Sequence, residues 1–129
     1  MFYMRKIYIV GNLLVEEDSL PLNLKPLLQS RFPHVDFVEF DPTEEFSEES
    51  DDVCMIDTVK GISEPHVFTD IDEFINKKSV SLHDFDLGWT LKLYKKTGKL
   101  NKITIIGIPY SKNPEMFLPK LIGIVSGIL

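Results

Sequence analysis

The sequence predicts an α/β fold, a single three-layer α/β/α domain over residues 1–129 with a mainly parallel sheet. Two observations carry this: four short runs rich in Ile, Val and Phe that read as buried strands, and helix-period stretches lying between them. Strands that alternate with helices pair in parallel, because each helix returns the chain to the same end of the sheet.

The first run, Arg5 to Gly11 (RKIYIVG), is short and apolar and stops at Gly-Asn, which reads as a buried strand ending in a turn. Leu20 to Arg31 follows with Leu20, Leu24, Leu27 and Leu28 at helical spacing. Pro21 and Pro26 predict an irregular first half, since an interior proline removes a hydrogen bond and clashes with the preceding turn. Val35 to Asp41 (VDFVEFD) alternates more strictly and ends at Asp-Pro. The acidic run Glu44 to Asp52 reads as a solvated loop or short helix. Val53 to Val59 (VCMIDTV) is the third strand, nearly all apolar except for Asp57.

Val67 to Phe74 reads as a short edge strand followed by a turn. Leu82 to Thr97 predicts a clear helix: Ser81 with Asp84 three residues on resembles a capping box, Lys95 and Lys96 suit the C-terminal end, and Gly98 stops it. Leu87, Leu91 and Tyr94 form its expected buried stripe. Lys102 to Ile108 (KITIIGI) is the fourth main strand, and Asn113-Pro114 supplies a cap and first-turn pair for a last helix.

Composition narrows the function. The chain carries 14 Lys+Arg against 20 Asp+Glu, net charge −6, which disfavours nucleic acid because phosphate binding depends on cationic side chains. Hydrophobic residues make up 43%, enough for a packed core. The one cysteine, Cys54, forms no intrachain disulfide, and the opening shows no leader pattern, so a cytoplasmic location is expected. No membrane span is expected: the most apolar stretch, Phe117 to Leu129, falls short of the roughly 20 residues a spanning helix needs.

Ligands of parallel sheets bind at the carboxyl ends of strands, so polar residues there are the candidates. Asp57 stands out, because even a neutral polar group buried without a partner costs about 2–7 kcal/mol. It reads either as a cap on a neighbouring backbone turn or as a functional carboxylate. His83, in the first turn of the predicted long helix, is either a solvent-exposed ring or one kept neutral by the helix dipole and available to a metal. Asp18 is either the N-cap of the first helix or a third member of the set. Two carboxylates and an imidazole suit a borderline divalent ion such as Zn²⁺ or Ni²⁺.

Cys54, inside the third strand, reads as core packing. His34 and His66 show no supporting neighbours. Trp89, Phe85 and Leu93 read as packing on the long helix. Lys92, Lys95, Lys96, Lys99 and Lys102 read as a solvated basic face with some capacity to dock an acidic partner. No nucleotide-binding or GxSxG pattern is present.

Taken in order, these segments resemble the hydrogenase maturation endopeptidase family, over nearly the whole chain. Ile7 to Leu20 (IYIVGNLLVEEDSL) is similar to the family opening, a strand ending in Gly-Asn followed by an acidic pair, here Glu17 and Asp18. Ile56 to Gly61 (IDTVKG) resembles the second segment, Ser81 to Leu93 (SLHDFDLGWTLKL) the third, and Leu100 to Pro109, ending in IIGIP, the closing strand. The resemblance implies a hydrogenase maturation protease-like, phosphorylase/hydrolase-like fold. It also implies that Asp18, Asp57 and His83 are both catalytic and metal-binding. The metal would be nickel already loaded in the partner, the precursor large subunit of a [NiFe] hydrogenase, whose C-terminal extension is cleaved by a monomeric enzyme. Which carboxylate acts as general base among Glu17, Asp18 and Asp57 stays open.

The chain departs from the family pattern at three places. Ile9 replaces an earlier glycine, Ser19 stands where glycine follows the acidic pair, and Asp41-Pro42-Thr43-Glu44 replaces Asp-Gly-Gly-Thr. Two rivals follow: a noncatalytic hydrogenase-assembly adaptor, and a receiver-type signalling domain phosphorylated on Asp57. A receiver carries Lys-Pro after its last strand, where this chain has Ile108-Pro109.

Overall fold

In the computed structural model, residues 5–10, 16–40, 50–59, 61–77, 96 and 100–129 are described. Five strands are described: β1 (Arg5–Val10), β2 (Val35–Phe40), β3 (Ser50–Val59), β4 (His66–Phe68) and β5 (Leu100–Pro109). They form one sheet in the order β2-β1-β3-β5-β4. β2, β1, β3 and β5 run parallel, and β4 pairs antiparallel with β5 at the edge. The four expected main strands are all present.

The helices α1 (Glu16–Arg31), α2 (Ile71–Lys77) and α3 (Leu118–Ile128) cover both faces. Strand alternation sorts the core into two halves. Ile7, Ile9, Cys54, Ile56, Ile106 and Ile108 pack with Leu24 and Leu28 of α1 and Leu121 and Val125 of α3. Val10, Val53, Met55, Val59, Ile103 and Ile105 pack on the opposite side with Phe68 of β4 and Ile71 and Phe74 of α2. Every residue from Val53 to Val59 is buried, as expected of a central parallel strand covered on both faces.

Six local expectations are corrected. α1 is continuous from Glu16 through both prolines. An interior proline costs about 3 kcal/mol, and burying each of Leu22, Leu24 and Leu28 recovers about 1.5–3 kcal/mol. Leu27, expected on the buried face, is 39% exposed. Asp18 lies inside the first turn of α1 and is therefore not its N-cap.

β3 begins at Ser50, so the last three residues of the acidic run, Ser50 to Asp52, belong to a strand; Ser50 and Asp52 pair with Leu100 and Lys102 of β5. The expected turn after the edge strand is the helix α2, capped by Asp70, whose Oδ1 accepts the Asp72 N–H at 2.9 Å. Asn113 gives no side-chain cap. It precedes a 3-10 turn, Pro114–Phe117, which leads into α3. The expected helix Leu82 to Thr97, apart from the exposed helical Lys96, lies outside the described residues.

Candidate functional site

The chain passes from β1 to its neighbour β2 on one side and then to β3 on the other, so the order of the sheet reverses between β1 and β3. At such a switch point the connections leave in opposite directions and open a crevice at the carboxyl ends of the two strands. Ile9 is level with Ile56, which places the end of β1 beside Asp57. α1 starts six residues after β1 ends, and returns the chain to β2, which is parallel to β1; its N-terminus therefore lies at this same carboxyl edge. The backbone thus sets the start of α1, which carries Asp18, and the end of β3, which carries Asp57, at the same carboxyl edge of the sheet. His83 lies outside the described residues.

Asp57 is 1% exposed. Its Oδ1 accepts the N–H of Thr58 at 2.9 Å, so the backbone-capping reading is realised in part. The hydrogen bond holds one oxygen in place. Thr58 Oγ1 is buried without a hydrogen-bond partner among the described residues. Among those residues no three His, Cys, Asp or Glu side chains gather as a metal centre.

Asp57 is in register with Gly107 of β5, and Gly107 with His66 of β4, so the three share one row across the sheet. A Cβ on Gly107 would stand 2.8 Å from Val59 Cγ2 and 2.9 Å from Phe68 Cε2, so bulky neighbours on that face exclude a side chain. Gly61, at φ 87°, makes the turn leaving β3, a conformation that side chains disfavour. The glycines of the IDTVKG and IIGIP segments thus shape the surroundings of Asp57.

His66, expected to lack supporting neighbours, has two. Its Nε2 lies 3.4 Å from Glu73 Oε1 of α2, and its ring stands edge-on to Phe68. Sequence spacing hides this pair, because the strand and helix meet only when α2 folds back on the sheet. Cys54 is buried among Ile7, Ile56 and their neighbours, in keeping with a packing role. Among the expected basic residues, Lys96 and Lys102 are exposed; Lys92, Lys95 and Lys99 lie outside the described residues.

A polar cavity beside the β3–β4 turn is lined by Ser63, Glu64, Pro65, His66 and, from α3, Lys120. Lys120 Nζ donates to Glu64 Oε2 at 2.9 Å. That hydrogen bond, and then the lysine's charge, hold the Glu64 carboxyl below the usual carboxylate range. A lowered carboxylate pKa contributes stability above its unfolded value, and the contribution is lost as pH falls through the folded value. In Lys120→Ala, NMR titration should find Glu64 returned to the ordinary range, with the small stability difference from the parent present at neutral pH and gone in acid.

No family model matches the chain, and no curated protein does. Among solved structures, an uncharacterized protein from Wolinella succinogenes is similar at 17% identity, with TM-score 0.64 over 98% of this chain and 96% of that one. The hydrogenase maturating endopeptidase HybD from E. coli is similar at 18% identity, with TM-score 0.65 over 97% of this chain and 92% of its own. The fold is therefore hydrogenase maturation protease-like. A receiver of the flavodoxin-like order 2-1-3-4-5 is a different arrangement, since here the outermost strand β4 is antiparallel and lies beyond β5. Among the described residues no helix is long and apolar enough to cross a membrane.

Proposed function

We propose that this chain is an endopeptidase that removes the C-terminal extension of a nickel-loaded [NiFe] hydrogenase large-subunit precursor, working as a cytoplasmic monomer. The observation that carries the reading is the buried Asp57 carboxylate at the β1/β3 switch point of a fold shared with a hydrogenase maturating endopeptidase. Asp18, from the start of α1, and His83, from the third family-like segment, complete the set that meets the nickel carried by the substrate.

In this reading the residues 1–129 act as one domain, and the crevice admits a folded partner presenting both its metal and its scissile tail. Asp57 is the fixed member, because the Thr58 N–H anchors one carboxylate oxygen. His83 binds as the neutral imidazole. One of the carboxylates Glu17, Asp18 and Asp57 takes a proton from the attacking water, a role worth about 10²–10⁴-fold in rate.

Incubation of the purified protein with nickel-loaded and nickel-free precursor tests this. The expected result is mature subunit from the loaded sample alone. Absence of cleavage in the loaded sample, with both proteins intact, sinks the assignment.

The departures at Ile9, Ser19 and Pro42, together with the lack of a matching family model, favour one second reading: an adaptor that binds the precursor without cutting it. Stable capture of loaded precursor with no product separates the adaptor from the enzyme.

A further inference from the structure

Among the described residues β2 is an outer strand of the sheet. An outer strand offers unpaired N–H and C=O groups to any other strand that approaches, and proteins block such edges in identifiable ways. Along a strand, the backbone groups of alternate residues point to the same side, so β1 takes one set from β2 and the other set faces outward.

Gln29 of α1 occupies that outward set. Its Nε2 donates to the Val35 carbonyl at 2.7 Å, and its Oε1 accepts the Phe37 N–H at 3.4 Å. One amide thus presents a donor and an acceptor to residues two apart, as the peptide of a neighbouring strand does. Nε2 also donates to the Phe32 carbonyl at 3.2 Å, which ties the amide to the end of its own helix. One turn earlier on the same helix face, Lys25 Nζ lies 3.6 Å from Glu39, the next residue of the outward set. α1 therefore covers the edge with an amide and a charge pair.

We propose that Gln29 closes the β2 edge, and that without it this edge becomes a pairing surface for a second copy of the chain. The occupant follows from the strand itself. Antiparallel self-pairing centred on Phe37 sets Val35 against Glu39 and Asp36 against Val38, so no two like charges face each other. The same patch on both copies makes a closed twofold dimer. The inference stands independently of the proposed protease activity.

Gln29→Leu removes both hydrogen-bonding groups at similar size. Sedimentation velocity over about a hundredfold range of concentration should show Gln29→Leu passing from the species formed by the parent chain to one of twice its mass, given the steep mass-action dependence of association. Adding Glu39→Pro, which deletes the next outward N–H at an edge position that tolerates proline, should restore the parent's behaviour. A folded Gln29→Leu that sediments as the parent does at every concentration overturns the proposal.

Hydrogen exchange on the unmodified chain gives a test that does not require the variant to fold. The Phe37 amide, held by Gln29, should exchange at least about tenfold more slowly than the Glu39 amide of the same outward set. Equal exchange at the two positions overturns the proposal.

Discussion

Asp57→Asn is expected to reduce cleavage of nickel-loaded precursor by at least about 100-fold while leaving the fold nearly as stable as before, the scale of a lost acid–base group. Asparagine is close to the same size and keeps a carbonyl oxygen that can accept the Thr58 N–H at the position now 2.9 Å away. What it loses is the negative charge, on which the proposed metal contact and proton transfer both depend. The measurement is a time course of precursor processing beside a thermal melt. His83→Ala is expected to impair processing or metal-dependent binding as well. Full activity in both variants refutes the site assignment. A large fall in melting temperature for Asp57→Asn would show instead that the charge serves the core.

Gly107→Ala is expected to destabilise the protein by about 1–3 kcal/mol, the usual cost of forcing an extra methyl group into a packed interior. The new Cβ would meet Val59 Cγ2 at 2.8 Å and Phe68 Cε2 at 2.9 Å, closer than carbon atoms tolerate, and both neighbours are themselves buried. Gly123→Ala is the internal control. It sits in α3, with nothing within 4 Å of a new Cβ, and should stabilise by about 0.4–1 kcal/mol because alanine restricts the unfolded chain. Urea unfolding should shift the two midpoints in opposite directions. A neutral Gly107→Ala would mean that packing does not require the glycine of the closing strand.

These two residues also show how differently a site can be legible. Asp57 announces itself, because one ionisable group within an otherwise apolar strand is chemically anomalous wherever the strand lies. Gly107 carries no such mark; its reason appears only when β5 is laid between β3 and β4, and Val59 and Phe68 close over it. α2 had a readable signal, Asp70 followed three residues later by Glu73 just before Phe74, the pattern of a capped helix start. Periodicity does not mark this short helix, because seven residues give too few apolar positions for a period.

The sequence by itself determined the α/β class, the four main strands and the exceptional position of Asp57, because a buried parallel strand needs a continuous apolar run and an intruding carboxylate stands out against it. Tertiary structure alone decided that α1 runs unbroken through Pro21 and Pro26, since the leucines it buries on the sheet offset the lost hydrogen bonds. It alone set the reversal between β1 and β3 that puts the start of α1 and Asp57 at the same carboxyl edge, the meeting of His66 with Glu73, and the placing of Gln29 along the β2 edge. Each of these depends on strand order and on which helix covers which face. Local periodicity records whether a segment is buried, but not which neighbour buries it.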